Sequence, residues 1–560
     1  MSQKGNDKGQ SIQRRRVILI ALVASVLSIF LACVVGLVLL TRYISDDAER
    51  HVTLRIAYSP DKEAIFTELV QAFNEDHPRL PDGKRVEAVA EKALPEEMIQ
   101  GALENRYHAL SPDSSIWLAE LERQWQDDAG IGDAFGGETT RYMVSPVVIA
   151  MWEDVAISLD YPKEELGWQD ILRVAEQDPS FTWSHPATSS ASGLLATLAQ
   201  FYAGADATRG LTEEMATAQV TLDYVARLQN TVKHYAEGEL GIMQHIEEEG
   251  PGFLDAFVVQ EQMVIRYNTT HEKRLLAIYP LEGTMWADHP LVLLEHPQRT
   301  DEQRLAYGLF RDFLLTEDAQ QRVLHGGYRP TDLSIPLNAP DSPFTSIYGV
   351  DPQKPYTSIQ IPSPSVVRVI KDAWWYTKRH TNVYLVVDVS GSMKGNKIAD
   401  AKAALQLFLD QIEGDQERVG LITFASQASE QVPLTRLGDG RDDLERAIDD
   451  LIAEGDTALL DGVALAFVKL RDLEDAERIN AIVVMTDGKE NRSRSNIDAL
   501  TQELQLAAQS DVPIFVFCIA YGNDADFQML KRLSDASGGF TERGDMETIR
   551  TLYRALSGYF

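Results

Sequence analysis

Two cysteines in 560 residues, Cys33 and Cys518, leave no disulfide framework to staple the fold. Each stands in an apolar run and reads as a small buried residue. Histidine is sparse as well: the 11 present show no HExxH or comparable spacing, so the zinc chemistry of His and Cys has no ligand set here. No GxSxG, P-loop or GxGxxG occurs between a strand and a helix, which removes the usual nucleophile elbow and nucleotide-phosphate cradles. Positive charge is also short. With 52 Lys and Arg against 85 Asp and Glu, the formal charge of −33 argues against a nucleic-acid binder, because a phosphate backbone is met by cations. No internal repeat or low-complexity tract stands out.

What is present is ordinary for folded protein: 44% apolar and 24% charged residues, over a length that suggests roughly three or four domains. Residues 17–40 contain no charge and no proline. Roughly 24 residues at about 1.5 Å each reach some 36 Å, enough to cross a hydrocarbon core with tilt. Arg14, Arg15 and Arg16 precede this run and Asp46, Asp47 and Glu49 follow it, so the positive-inside rule keeps 1–16 cytoplasmic and sends everything after Thr41 outside. Two rival readings are weaker on the residues. A cleaved signal peptide wants a shorter apolar region and an A-x-A-like site, which TRYIS does not supply; lipoprotein processing at Ala32-Cys33 would cut an apolar run that continues through 34–40.

The most informative stretch is 384–393, YLVVDVSGSM. A buried strand through Leu385, Val386 and Val387 delivers Asp388, Ser390 and Ser392 to its C-terminal end, Gly391 allows a tight turn, and a helical pattern follows over 397–413. Downstream, GDTALLDG presents Thr457 in a loop and NAIVVMTDGK is a second buried strand that ends in Asp487. Asp388, Ser390, Ser392, Thr457 and Asp487 are hard oxygen ligands, suited to Mg²⁺, Mn²⁺ or Ca²⁺ rather than zinc. This five-part set resembles the metal-ion-dependent adhesion site of von Willebrand factor A domains, over residues 381–560. The resemblance implies a doubly wound, Rossmann-like α/β sheet with its ion at the strand C-termini and a protein partner that supplies an acidic side chain to the metal. Further strands are expected over 418–425 and 512–520, and helices over 444–452, 459–470 and 497–508.

Between the apolar run and that domain, residues 52–337 alternate strand and helix patterns: LRIAYSP before an amphipathic helix, SSIW, SPVVIAMW, and HPATSSASG before an apolar helix over 194–201. Thr188, Ser189, Ser190, Ser192 and Gly193 cluster where that last helix starts; the residues alone read either as an N-cap or as an anion site on free backbone N–H groups. The order of segments, continued by IYPLEGTMWADHPLVLLE, FRDFLLTEDAQ and GGYRP, is similar to the type II extracellular solute-binding proteins of the molybdate-binding kind. That resemblance implies two lobes joined by crossing strands at 144–149 and 290–294, lobe one being 52–143 plus 295–345. It also implies ligand contacts from Ser59, Ser145 and Ser190 or Ser192 to a small polar or anionic solute. Trp117, Trp152, Trp183 and Trp286 could line such a cleft, although large aromatics are more often core.

A proline-rich stretch over 337–364 reads as an extended connector, followed by a short packed helix over 366–378. The expected organisation is a cytoplasmic tail (1–16), a transmembrane helix (17–40), a two-lobed periplasmic-binding-protein-like domain (51–345), a linker (346–380) and a von Willebrand factor A domain (381–560), all α/β outside the membrane. The function expected is binding or adhesion at the outer face of the cell membrane, without catalysis, since no nucleophile with a base accompanies the oxygen cluster. A solute-capture subunit of a transporter, or a metal-dependent hydrolase, are the alternatives. Protease added outside intact cells is expected to digest both large domains and spare the N-terminal tail; protection of 384–560, read on immunoblots, would overturn this topology.

Overall fold

Among the described residues, Val-, Ile- and Leu-rich runs without polar alternation form the buried strands of three sheets, as expected where helices cover both faces. The computed structural model describes residues 51–129, 135–236, 238–377, 380–412, 414–475, 478–508, 510, 512–521, 525–539 and 541–544. The cytoplasmic tail and the transmembrane helix expected over 17–40, with Cys33, lie outside the described residues. Among the described residues no helix is long and apolar enough to cross a membrane.

In chain order the strands are β1 (His51–Tyr58), β2 (Arg85–Lys92), β3 (Ala109–Ser111), β4 (Gly136–Arg141), β5 (Met143–Trp152), β6 (Trp183–Pro186), β7 (Val232–Ala236), β8 (Ala256–Gln260), β9 (Leu275–Ile278), β10 (Trp286–Ala287), β11 (Pro290–Leu294), β12 (Arg329–Pro330), β13 (Thr381–Asp388), β14 (Arg418–Phe424), β15 (Ala428–Arg436), β16 (Ile479–Thr486), β17 (Ile514–Tyr521) and β18 (Thr541–Gly544). The described residues divide into two units, one drawn from 51–111, 135–140 and 291–319, the other from 112–129, 141–290 and 320–544.

The first unit is built on a five-stranded sheet in the order β2-β1-β3-β11-β4. β1 runs parallel to β2 and β3, and the Glu63–Glu75 helix between β1 and β2 buries Ile65, Phe66, Leu69, Val70 and Phe73, the apolar positions of its 3.6-residue period. Phe73 meets Phe310 edge to face with ring centres 5.0 Å apart.

The second unit holds two sheets. One has the order β10-β5-β8-β6-β7, with β9 and β12 also paired to β5. The sequence places 112–129 and 320–345 in the first lobe, whereas both segments group with this second unit. β12 pairs Arg329 with Val144 and Pro330 with Met143, and Gln320 Nε2 donates to the Tyr142 carbonyl at 2.7 Å. Arg329 is held by a buried fork of two 2.7 Å bonds to Glu261, a geometry only a guanidinium supplies. A two-residue strand with no apolar run of its own carries no sequence signal, which explains the outcome for 320–345.

The second sheet of this unit is six-stranded, β15-β14-β13-β16-β17-β18, parallel except for the β15 edge. All eight residues of β13, of β16 and of β17 are buried. Cys518 lies in β17, fully buried, and burial pushes its thiol up to about 12. Helices Asn396–Gln411, Leu437–Asp449, Leu459–Arg471, Ile497–Ala508 and Phe527–Ser537 cover the sheet. The proline-rich connector is not a free spacer. Asn268 Nδ2 donates to the Tyr348 carbonyl at 2.8 Å, Ala277 N–H to the Gly349 carbonyl at 2.8 Å, and the Lys354 ammonium pairs with Glu165, so the segment lies fastened along the second unit. It ends in the Pro364–Thr377 helix, whose Trp374 ring stands edge-on to Tyr235 at 5.5 Å.

Candidate functional site

β13 and β16 are hydrogen-bonded neighbours with Val387 opposite Met485, so Asp388 and Asp487 leave the sheet side by side at its C-terminal edge. Both carboxylates are fully buried. Asp388 is satisfied from both sides: Ser390 N–H donates to its Oδ1 at 2.8 Å and Thr486 Oγ1 to its Oδ2 at 2.5 Å. Burial lifts its proton affinity above the ordinary carboxylate value, with Asp487 adding to the rise and the Ser390 and Thr486 bonds opposing it.

The hydroxyls fill the space between the acids. Ser390 Oγ and Ser392 Oγ are 2.9 Å apart, and Ser392 Oγ donates to Asp487 Oδ1 at 2.7 Å. Thr457 arrives on a loop that is hydrogen-bonded to both neighbours: Gly391 N–H donates to the Gly455 carbonyl at 2.9 Å, Ala458 N–H to that of Ala425 at 2.8 Å, and Thr457 N–H to Asn491 Oδ1 at 3.0 Å. Gly488 is required for the convergence. A Cβ there would stand 3.2 Å from Thr457 Oγ1 and 3.4 Å from Ser392 Oγ, in the middle of the oxygen cluster. The structure therefore brings all five expected residues, Asp388, Ser390, Ser392, Thr457 and Asp487, to one place. Two carboxylates and three hydroxyls fit a small hard cation. Among the described residues no group of three or more His, Cys, Asp or Glu forms a competing metal cluster.

Two members of this site were missed in the sequence. Thr486, the last residue of β16, reads as one more strand position, and only its register shows that it caps Asp388. Lys397, in the first turn of the Asn396–Gln411 helix, forms an ion pair with Asp487 Oδ2. Its signal was available, since a helix that begins four residues after the DxSxS turn must carry its first side chains back over that turn.

The serines expected at the solute site are distributed over both units. In the first, Ser59 is buried at the end of β1, its N–H donating to the Ser111 carbonyl at 3.2 Å. Beside it the buried Lys62 ammonium donates to Ser111 Oγ at 2.9 Å, a cation that the sequence pattern hid inside a surface-type SPDKE run. In the second unit, Ser145 Oγ donates to Gln262 Oε1 at 2.5 Å, within a buried chain that continues from Gln262 Nε2 to Glu239 at 3.3 Å. Ser190 is the N-cap of the Ala191–Gly204 helix and accepts from Gly193 N–H at 3.1 Å. Gly193 is fixed by a close approach, because a Cβ would fall 2.1 Å from the Ala187 carbonyl oxygen. Ser192 is 1% exposed, and its Oγ has no hydrogen-bond partner among the described residues.

The two halves match two known families. Residues 382–555 fit the family model of the von Willebrand factor type A domain, and residues 54–329 that of the bacterial extracellular solute-binding protein. Each model matches one stretch of the chain; both families are binding domains, generally without enzymatic activity, and von Willebrand factor A domains generally bind a divalent metal at their adhesion site. Inter-alpha-trypsin inhibitor heavy chain H4 of Sus scrofa is 24% identical over 241 residues, 41% of this chain and 26% of its own. Calcium-activated chloride channel regulator 3A-1 of Mus musculus is 27% identical over 208 residues, 36% of this chain and 21% of its own. Among solved structures, the sulfate-binding protein SubI from Mycobacterium tuberculosis H37Rv aligns over 54% of this chain and 93% of its own, at 19% identity and a TM-score of 0.38. The chain spans about a quarter of the length of the curated relatives it matches.

Thr486→Val keeps the shape of the side chain and removes the donor to Asp388 Oδ2 inside the sheet. It should cost about 1–3 kcal/mol in urea denaturation, the penalty for a buried acceptor left unmatched, and Thr486→Ser should recover most of it. Equal stability of the valine variant and the parent would show that this bond does not hold the carboxylate.

Proposed function

We propose that this chain is a membrane-tethered binding or adhesion protein of the outer cell face. In this reading its von Willebrand factor A domain grips an acidic side chain of a protein partner through a divalent metal, while its solute-binding domain captures or senses a small polar or anionic solute. One observation carries the first half: Ser390, Ser392 and Asp487 form a continuous chain of oxygens, 2.9 and 2.7 Å apart, beside Asp388 and Thr457. Asp388, Ser390, Ser392, Thr457 and Asp487 would hold the ion, Mg²⁺ with Mn²⁺ or Ca²⁺ as alternatives. When bound, the ion supplies an electrophilic position that a partner's Asp or Glu can enter. The chain's own residues set that position. Asp388 and Ser390 sit at the closed end of the cluster, both buried, whereas Ser392 is exposed and marks the open end. Lys397 occupies Asp487 Oδ2, which leaves Oδ1, the oxygen already bonded to Ser392, facing the hydroxyls.

The second half rests on Ser192 in the second unit, a buried hydroxyl with no hydrogen-bond partner among the described residues. The membrane tether rests on the charge-free run 17–40 behind Arg14, Arg15 and Arg16.

Calorimetric titration of Mg²⁺ into the parent and into Asp487→Ala tests the metal site: affinity should fall by at least about tenfold, in line with losing one of two carboxylate ligands. Because the ligands lie on loops at a sheet edge, circular dichroism of the variant should match the parent. Equal Mg²⁺ affinity in both proteins would remove this constellation from consideration.

The solute is testable by melting temperature, since a ligand that binds only the folded state raises it. In a panel of sulfate, phosphate, simple sugars and amino acids, at least one member should stabilise the parent and stabilise Ser192→Ala less. A panel member that shifts both proteins equally would take Ser192 out of the site.

A further inference from the structure

The connector that ties the solute-binding half to the metal-bearing half also walls a pocket. Within the second unit, Ser358–Pro362 and the start of the Pro364–Thr377 helix close a cavity of about 810 Å³, within the range that holds small organic ligands. Its other walls are the first two turns of the Ile116–Ala129 helix with Trp117, the short strand β10 with Trp286, and Leu194. None of Ser59, Ser145, Ser190 and Ser192 lines it, and neither does any residue of the oxygen cluster.

The walls are held in place by bonds that owe nothing to a ligand. Trp286 Nε1 donates to Ser358 Oγ at 3.0 Å, and Ile359 N–H donates to the Thr284 carbonyl at 2.9 Å. The Tyr202 hydroxyl donates to the Gln360 carbonyl at 3.2 Å. The connector lies so close to the turn at Gly283 that a Cβ there would stand 2.6 Å from Ile359. Trp117 is oriented by its Nε1 donating to Asp113 Oδ1 at 3.2 Å. The pocket is a built cavity, not slack in a linker.

Its charge is the reverse of the chain's. A protein with a net −33 places Arg123, Arg141, Arg368 and Lys371 around this opening against two carboxylates, Glu120 and Asp288. Both carboxylates are already matched: Arg141 Nε donates to Asp288 at 2.8 Å and Ser115 N–H to its other oxygen at 2.7 Å, while Arg123 pairs with Glu120 at 2.6 Å. Arg368 and Lys371 form no close ion pair among the described residues, and Lys371 acts on Glu120 only at longer range, adding to the fall in its proton affinity. Both are on the 364–377 helix, three residues apart and therefore on one face. An excess of cations over carboxylates around a mostly apolar cavity with two indoles asks for a ligand with one charged end and a flat apolar body.

We infer that this pocket binds an aromatic organic anion, its ring system against Trp117 and Trp286 and its anionic head toward Arg368 and Lys371. This ligand site is separate from the oxygen cluster and from Ser59, Ser145, Ser190 and Ser192. The ligand would touch the helix whose next strand is β13, so the site is placed to register at the metal-bearing sheet.

The full chain, in detergent or nanodiscs, should bind 1-naphthalenesulfonate saturably, one per chain, as read by calorimetry and by quenching of tryptophan fluorescence. The uncharged 2-naphthalenemethanol should bind at least tenfold more weakly. Arg368→Gln with Lys371→Gln, both away from the core, should cost the sulfonate tenfold or more and leave the alcohol unchanged. Ala119→Trp, which builds an indole into the cavity from its helical wall, should block both probes. Unchanged sulfonate binding in the double variant, persistence of binding in Ala119→Trp, or no saturation by millimolar probe would each overturn the proposal.

Discussion

Two carboxylates buried next to each other are the constraint around which the C-terminal domain is arranged. Asp388 and Asp487 end adjacent parallel strands, so the register that builds the core also forces two like charges together out of water. Such a pair is costly unless each oxygen is matched or a cation sits between them. The surroundings supply small donors: the Ser390 N–H, the hydroxyls of Thr486 and Ser392, and one tethered ammonium from Lys397. A single lysine against two acids leaves the cluster short of positive charge. This shortfall is the physical reason the site suits a divalent ion better than it suits being closed by side chains alone.

The same constraint accounts for the glycines and loops around it. Gly391 and Gly488 appear where a side chain would intrude on the cluster or on the Gly455 carbonyl, 3.2 Å from a Cβ at Gly391. Thr457 is not on a strand, and its position depends on three loops bonded to each other: 388–393, 425–426 and 454–458. Rigidity comes from this lattice of backbone bonds while the charged chemistry stays at the rim, which is how a binding site avoids disturbing a packed sheet.

Most of this site was legible because it is encoded locally. An apolar run fixes a buried strand, its last residue fixes where the acid emerges, and DxSxS places three ligands within five residues, so Asp388, Ser390 and Ser392 required no knowledge of long-range contacts. Asp487 was legible by the same rule applied to β16. Thr457 was legible only as a loop residue between two helical patterns. Thr486 and Lys62 escaped because nothing in strand alternation or in SPDKE marks a hydroxyl as a cap or a lysine as buried; both roles arise from pairing between segments far apart in the chain. β15 escaped for a different reason. It is an antiparallel edge with bulges and Pro433, polar on alternate positions, and edge strands lack the continuous apolar signature of the parallel core. Proline-rich composition marked 337–364 as irregular, which it is, yet composition says nothing about whether an irregular segment is free or fastened. The groups that bind it belong to residues as far as 189 positions away.

That fastening changes what the two halves can do to each other. If the connector were a loose tether, solute and metal would be independent events on one string. Instead the 364–377 helix packs its apolar face, Val366, Val367, Ile370 and Trp374, into the same buried cluster as Trp183 and Tyr235, and the cluster continues through Val383, Leu385 and Val387 of β13. Asp388 is the residue that follows Val387. A change in how the helix is seated would therefore act on the strand that carries the first metal ligand through packed side chains, which transmit displacement because a close-packed interior has few voids to absorb it. The cost of such a change is bounded by the burial it disturbs. Shifting two or three aliphatic side chains partly out of contact is worth about 1–3 kcal/mol, the usual scale of coupling between sites. A ligand held against Trp117, a member of the same cluster, would need only a differential affinity of that size to bias the metal-bearing edge through those packed side chains.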